Sequence, residues 1–245
     1  MYMNLWLMRH MNVLDLEDIK IKMKKKITKS KSETMDVNHF RVAIFGSART
    51  KKNDPNYKMI YDLAKLIGER NFDIVTGGGP GTMEAANAGH KAGNNMNKSQ
   101  SYGLLIKLPR EQKSNKHLDV KKEFKIFSNR LDNFMALSNV VVVSPGGIGT
   151  LLELFYTWQL EQVNQTSNIP IILLGKHWNG LLRWIRKYVL KNGFIDSKDL
   201  EFVYHVKNYK QAMEIINYTY NEFEANTNNV SPNLNKYRLL AKYKQ

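Results

Sequence analysis

Short apolar runs alternate with amphipathic segments through most of the chain. The apolar runs predict strands at residues 41–45, 72–76, 102–106, 124–127, 140–143, 171–174 and 203–205. Between them, apolar side chains recur at helical spacing. That spacing predicts helices over residues 57–70, 82–92, 130–137, 151–163, 178–190 and 209–223.

Strands that alternate with helices favour an α/β fold. We expect a Rossmann-like, doubly wound, mostly parallel sheet with helices on both faces, formed by residues 40–223. Residues 1–39 read as a basic N-terminal extension with a short helix near residues 14–24, and residues 224–245 as a polar, basic C-terminal tail. Ligands of such sheets bind beyond the carboxyl ends of the strands, where the strand order reverses.

Composition narrows the classes of function. The chain has 245 residues, 42% of them hydrophobic, and no cysteine, so disulfides and thiol-based metal sites are excluded. The six histidines show no metal-binding spacing, so no histidine metal site is expected. No run of about 18 apolar residues predicts a membrane span. Residues 1–8 lack the features of a signal peptide, so a cytoplasmic location is expected and no membrane contact.

The net charge of +15 suggests an anionic partner, but much of it lies near the ends of the chain. Seven lysines and no acidic residue fall between Lys20 and Lys31. Runs of this kind are typical of solvated tails. Nucleic acid is therefore not the expected partner, and a nucleic-acid-binding function is the weakest of the alternatives.

Two glycine-rich segments follow predicted strands and precede predicted helices. Residues 77–84 read GGGPGTME and residues 145–150 read PGGIGT. Bare main-chain amides at a helix N-terminus bind phosphate, although each segment alone also fits a tight turn without a ligand. Neither segment is a Walker A motif or a dinucleotide fingerprint, and no nucleophile elbow is present, so ATPase, NAD-dependent and serine-hydrolase chemistry are disfavoured.

Three charged residues lie where they can reach these segments. Glu153 either forms a capping box with Thr150 or presents its carboxylate at the mouth of the second segment. Arg130 falls near the strand ends and is either a ligand contact or a surface ion-pair partner. Glu84 opens the helix after the first segment, where its simplest role is to complement the helix dipole.

The segments around residues 77–87, 130–135 and 145–153 together resemble the LONELY GUY family, long labelled lysine decarboxylase-like. Its characterised members are phosphoribohydrolases that release a free base from a nucleoside 5′-monophosphate. The resemblance implies a catalytic pair and a set of residues that hold the phosphate and line the pocket. The implied pair is Arg130 and Glu153, and the implied pocket residues are Gly146, Gly147, Gly149, Thr150, Gly78, Gly79, Gly81 and Thr82. Ser47 and Glu84 are two further candidate substrate-binding residues.

The expected function is therefore hydrolysis of the N-glycosidic bond of a nucleoside 5′-monophosphate, without a cofactor. The resemblance also implies a homo-oligomer, a dimer or larger. The main alternative is a non-catalytic nucleotide- or molybdenum-cofactor-binding protein of the same fold. Decarboxylation of lysine is not expected, because no pyridoxal-phosphate motif is present.

Overall fold

A computed structural model describes residues 39–107, 113–166 and 169–225. The predicted helix near residues 14–24 lies outside the described residues, as does the predicted tail from residue 226 onward. The limits of the predicted N-terminal extension and C-terminal tail therefore stay predictions.

The described residues contain a single sheet of seven parallel strands in the order β4-β3-β2-β1-β5-β6-β7. Residues 140–143 and 171–174 are apolar over their whole length, as is typical of parallel strands that helices cover on both faces. This arrangement confirms the predicted doubly wound α/β fold. The strands are β1 Arg41–Phe45, β2 Asp73–Thr76, β3 Ser101–Ile106, β4 Val120–Phe124, β5 Val140–Val143, β6 Ile171–Leu174 and β7 Val203–Val206.

Within the same residues, six α-helices pack on the two faces of the sheet. One apolar core lies under α1, α2 and α6, and a second lies under α3, α4 and α5. A π-helix, Ile185–Leu190, continues α5, and 3₁₀ turns span Lys176–Trp178 and Ser197–Leu200. The α-helices are α1 Pro55–Glu69, α2 Thr82–Gly93, α3 Phe127–Leu137, α4 Ile148–Gln162, α5 Asn179–Trp184 and α6 Tyr209–Ala225.

Helix α1 shows how local sequence sets these elements. The Asp54 side chain accepts a hydrogen bond from the Asn56 amide at 2.8 Å, and Pro55 occupies the first helical turn, where no amide donor is needed. Ile60, Ala64 and Ile67 recur on one face and are fully buried against the sheet. Full burial of an isoleucine side chain stabilises the fold by about 1.5–3 kcal/mol, and the smaller Ala64 side chain contributes less.

One predicted strand is misplaced, and one predicted helix is not a continuous α-helix. The strand predicted at residues 124–127 lies instead at Val120–Phe124, and Phe127 already begins α3. Within the described residues, β4 lies at the edge of the sheet and pairs with β3 alone. Its three central charged residues are therefore partly or fully exposed, and they interrupt the apolar pattern that would have indicated a strand. The helix predicted over residues 178–190 is divided between 3₁₀, α and π geometry.

The strand order reverses between β1 and β5. Phe45 pairs with Val143, so the two strands end side by side. From there the chain leaves β1 toward β2 and leaves β5 toward β6, in opposite directions, which opens a crevice between the two following loops. Among the described residues, no helix has the length and apolar character needed to cross a membrane.

Candidate active site

A cavity of about 510 Å³ occupies this crevice. It is lined by the loops that follow β1, β2 and β5, by the end of β3, and by α3 and α4. Its glycine, polar and charged lining consists of Gly46, Ser47, Arg49, Gly77, Gly79, Arg130, Gly147, Gly149, Thr150 and Glu153. Its apolar lining consists of Ile44, Phe45, Ala48, Met83, Leu105, Ile106 and Ile148.

Arg130 and Glu153 meet at the floor of this cavity. The Arg130 Nη1 atom donates to Glu153 Oε1 at 3.2 Å, and the two side chains are only 9% and 12% exposed. Arg130 Nε donates to the Leu104 carbonyl at the end of β3 at 2.7 Å. The guanidinium also lies 5.0 Å from the centre of the Phe134 ring. These contacts fix the arginine and leave the carboxylate facing the cavity.

The pair has perturbed acid–base properties. Burial raises the pKa of the Glu153 carboxyl to about 7, although the neighbouring Arg130 charge opposes the shift. Burial lowers the pKa of Arg130, and Glu153 in turn opposes that change. A carboxyl group whose pKa lies close to neutrality can both accept and return a proton during a reaction.

Gly77 makes room for the arginine. A Cβ atom at this position would lie 2.4 Å from Arg130 Nη2 and 2.6 Å from Met83 Sδ, closer than real contacts allow. A residue with any side chain would therefore displace the guanidinium. Gly77 was not among the predicted site residues, because its role depends on a residue 53 positions away in the sequence.

The second glycine segment forms the N-terminus of α4. Its N-cap is Gly147, which has no side-chain cap, so the amides of the first helical turn lack intrahelical acceptors. A Cβ atom at Gly147 or Gly149 would have no heavy atom within 4 Å. Neither glycine is therefore required by the packing of the protein itself. The bare amides and the positive end of the helix dipole suit an anion.

The capping-box interpretation of Glu153 is wrong. Thr150 is the third residue of α4 rather than its N-cap, and Glu153 pairs with Arg130. The Thr150 hydroxyl packs over Gly146, where a Cβ atom would lie 2.1 Å from it. Gly146 therefore supports Thr150 but does not line the cavity, whereas Gly147, Gly149 and Thr150 do.

The first glycine segment divides between the cavity and the protein interior. Gly79 lines the cavity, but Gly78, Gly81 and Thr82 lie outside its lining. The Gly78 amide donates to Thr76 Oγ1 at 3.0 Å, and the Thr82 amide donates to the Ser47 carbonyl at 2.9 Å. These backbone groups are used to hold neighbouring loops, which explains why they do not face a ligand.

Two further predicted residues have clear local partners. Ser47 lines the cavity, and its hydroxyl accepts a hydrogen bond from the Arg49 amide at 3.0 Å. Glu84 lies outside the lining and pairs with Lys52 at 3.3 Å in the first turn of α2. This position agrees with the simpler role in which Glu84 complements the helix dipole.

A buried network of polar side chains holds the first segment in place. Asn87 accepts from Thr76 Oγ1 at 2.9 Å and donates to Ser101 Oγ at 2.8 Å. Asn115 donates to Asn87 Oδ1 and to the Gly79 carbonyl, both at 2.9 Å. Buried polar groups that are fully paired rigidify a structure. The network therefore sets the position of the Gly79 backbone at the cavity wall.

Sequence reasoning missed several lining residues. Met83, Leu105 and Ile106 give the cavity an apolar wall, and Arg49 adds a cation. Arg49 follows the Gly-Ser pair that closes β1, and its place beside the switch point was the available signal. The apolar residues carry no signal, since the same types fill the core.

A family model and several curated relatives match the chain. A family model described as possible lysine decarboxylase matches residues 83–216. The chain is 27% identical over 136 residues to the pyrimidine/purine nucleotide 5′-monophosphate nucleosidase of Escherichia coli K12, a match that covers 50% of this chain but 28% of that protein. It is 27% identical over 192 residues to the cytokinin riboside 5′-monophosphate phosphoribohydrolase LOG3 of Arabidopsis thaliana, covering 75% of this chain and 85% of that protein.

Solved structures share the fold. The molybdenum cofactor binding protein of Rippkaea orientalis superposes with a TM-score of 0.56 at 20% identity, covering 75% of this chain and 98% of that one. The molybdenum cofactor carrier protein of Chlamydomonas reinhardtii gives a TM-score of 0.56 at 19% identity, covering 75% and 99%. At these identities the likeness concerns the fold alone.

Proposed function

The chain belongs to the family described as possible lysine decarboxylase, and within this family we propose that it is a nucleoside 5′-monophosphate phosphoribohydrolase. The observation that carries the proposal is one cavity that combines the buried Arg130–Glu153 pair with the uncapped N-terminus of α4. The names of two relatives, a nucleotide nucleosidase and a phosphoribohydrolase, describe the same reaction class.

The family description suggests another reaction, which the cavity does not favour. Amino-acid decarboxylation commonly uses pyridoxal phosphate held by a lysine as a Schiff base. In the described part of the chain, the cavity lining contains no lysine. The cavity instead offers an anion site and a carboxyl group, which suit the hydrolysis of a phosphorylated glycoside.

The anion site would hold the 5′-phosphate. The first turn of α4 lines the cavity, and a Cβ atom at Gly147 or Gly149 would have no heavy atom within 4 Å. Binding energy from the phosphate, which does not react, would then position C1′ of the ribose against Glu153.

The carboxylate would act where positive charge develops. As the C1′–N bond breaks, its electron pair leaves with the base and the ribose becomes oxocarbenium-like. The Glu153 carboxylate stabilises this charge and accepts a proton from the attacking water, whose oxygen forms the new bond to C1′. The proton that Glu153 took from water then passes to the base nitrogen, which regenerates the carboxylate, and the products are the free base and ribose 5-phosphate. A pKa of about 7 allows Glu153 to perform the proton transfer near neutral pH.

Arg130 would keep the carboxylate in place. Its bonds to Glu153 and to the Leu104 carbonyl leave the Nη2 group at the Gly77 side of the cavity. From there it can contact the ribose or the departing base. Breaking a buried ion pair by removing one partner is strongly destabilising, so Arg130→Lys is a better test of its role than Arg130→Ala.

The proposal is tested by incubating the protein with AMP, GMP, CMP and UMP and separating the products by chromatography. We expect free base from at least one nucleotide, and no release by Glu153→Gln. Circular dichroism of the variant would show whether the fold is intact. Full activity of a folded Glu153→Gln protein would remove this carboxyl from the mechanism.

A carrier function is the alternative outcome of the same experiment. A nucleotide or molybdenum cofactor carrier needs the anion site but not the buried Arg130–Glu153 pair. Tight, phosphate-dependent binding of nucleotides without product release would favour it.

We also propose that the chain forms a homo-oligomer. Ile148, Leu152 and Phe155 lie on one face of α4 and are 81%, 45% and 42% exposed. Exposed apolar side chains in one stripe are typical of a surface that an assembly covers. Light scattering should give at least twice the mass of the chain, and Phe155→Glu should reduce it. A cytoplasmic location stays a prediction.

A further inference from the structure

Arg49 is a cation of the cavity wall whose side chain has no partner among the described residues. Arg49 lies in the loop after β1 and lines the cavity, and its side chain is exposed. Within the described part of the chain, its guanidinium makes no hydrogen bond, ion pair or ring contact; only its backbone amide is bonded, to Ser47 Oγ at 3.0 Å. A fixed backbone therefore carries a free guanidinium at the cavity wall.

The other arginine in the cavity is already engaged. Arg130 is buried, pairs with Glu153 and donates to the Leu104 carbonyl. Among the described residues, a phosphate dianion that entered beside this pair would meet the Glu153 carboxylate, and Arg130 offers it no unpaired charge to offset the repulsion. Within residues 39–107, 113–166 and 169–225, Arg49 is the remaining cation in the cavity lining. A sphere of the cavity's volume would be about 10 Å across, which an arginine side chain can largely span.

The loop that carries Arg49 is held on both sides. The Ser47 carbonyl accepts the Thr82 amide at 2.9 Å, and the Thr50 hydroxyl lies 3.0 Å from that of Thr82. Gly81 allows this approach, because a Cβ atom there would lie 2.4 Å from the Ser47 carbonyl oxygen. Gly81 and Thr82 of the first glycine segment therefore fix the loop that carries Arg49, and do not themselves line the cavity.

We propose that Arg49 binds the substrate phosphate opposite the N-terminus of α4 and makes the enzyme selective for 5′-monophosphates over nucleosides. The inference rests on the proposed function for its substrate. The planar guanidinium suits phosphate because it can donate two parallel hydrogen bonds, which a lysine ammonium cannot. Arg49 is a binding residue and takes no part in the bond cleavage.

The test compares Arg49→Gln, Arg49→Lys and the control Lys51→Gln. Lys51 is exposed, lies two residues away, is absent from the cavity lining, and loses the same charge when replaced. We expect Arg49→Gln to lower kcat/KM for the best nucleotide about 10- to 100-fold, since a hydrogen bond to a charged group is lost. Arg49→Lys should recover part of that loss, and Lys51→Gln should change it less than about twofold.

The same variants are assayed on the matching nucleoside, which lacks the phosphate. Its slow turnover should be equal in the wild type and in Arg49→Gln. Equal losses on nucleotide and nucleoside would overturn the proposal, as would an unchanged nucleotide rate or an equal loss in Lys51→Gln.

Calorimetric titration with ribose 5-phosphate separates this inference from the proposed function. If the wild type binds ribose 5-phosphate but cleaves no nucleotide, the proposed function fails, and weaker binding by Arg49→Gln still supports the phosphate contact. If Arg49→Gln binds ribose 5-phosphate as tightly as the wild type, the inference about Arg49 fails by itself. No binding by the wild type would overturn both.

Discussion

Substitution of Gly149 by alanine should stabilise the protein and weaken its ligand binding. Gly149 is the second residue of α4, its φ is not positive, and a Cβ atom there would have no heavy atom within 4 Å. Alanine favours a helix interior over glycine by up to about 1 kcal/mol, and by less in the first turn. We expect a gain of about 0.5 kcal/mol, which raises Tm by about 1–2 °C for a domain of this size.

The same methyl group should obstruct the anion site. It would stand in the cavity before the first-turn amides of α4, where the phosphate must approach. Loss of a hydrogen bond between an amide and a charged phosphate costs about 1.5–3 kcal/mol, so affinity should fall about 10- to 100-fold. A rise in Tm together with a fall in affinity would indicate that Gly149 serves ligand binding. A fall in Tm would indicate that the fold requires this glycine.

Thermal unfolding and calorimetric titration with ribose 5-phosphate measure the two effects. Gly180→Ala is the matched control, because Gly180 is the second residue of α5 and also has no heavy atom within 4 Å of a built Cβ atom. It should raise Tm similarly and leave affinity unchanged. Unchanged affinity in Gly149→Ala would refute the proposed anion site at the N-terminus of α4. A marked fall in Tm would show that the glycine serves the fold.

Three other perturbations have expected outcomes. Burial raises the pKa of Glu153 to about 7, so the folded state binds this proton more tightly than the unfolded state does. The stability of the wild type should therefore fall, relative to that of Glu153→Gln, as the pH rises from about 4.5 to about 7. Thermal unfolding at a series of pH values measures this difference. If the carboxylate is the active form, kcat should rise through about pH 7 in a pH–rate profile, and a midpoint near 4.5 would contradict the burial argument. Gly77→Ala should displace the Arg130 guanidinium and lower kcat at least tenfold with little change in ribose 5-phosphate affinity, and an equal kcat would show that Arg130 tolerates the shift. Asn87→Ala leaves buried partners unpaired and should reduce the free energy of unfolding by about 1–3 kcal/mol in urea titrations, whereas a loss below about 0.5 kcal/mol would show that the network is dispensable.

The fold could be predicted from the sequence where strands are buried on both faces. Residues 41–45, 140–143 and 171–174 are apolar runs bounded by turns, and each is a strand with those bounds. Strand β4 was misplaced because it lies at the sheet edge, where charged side chains remain exposed and the apolar period disappears.

The candidate site was accessible only in part. Motif resemblance suggested Arg130 and Glu153, and the structure brings them within 3.2 Å of each other. Sequence could not show that the Thr82 amide is occupied by Ser47, or that Gly77 accommodates Arg130, because both contacts join distant segments. The proposed role of Arg49 could not be predicted for the same reason. Its guanidinium is recognised as unpaired only when the contacts of the surrounding side chains, such as the Arg130–Glu153 pair, are known.

The central claim is tested most directly by the products formed from a nucleoside 5′-monophosphate. We predict that the wild-type protein releases free base and ribose 5-phosphate in equal amounts, measured together by chromatography and mass spectrometry. Release of inorganic phosphate and nucleoside, or recovery of the nucleotide intact after prolonged incubation across all four bases, would contradict the account.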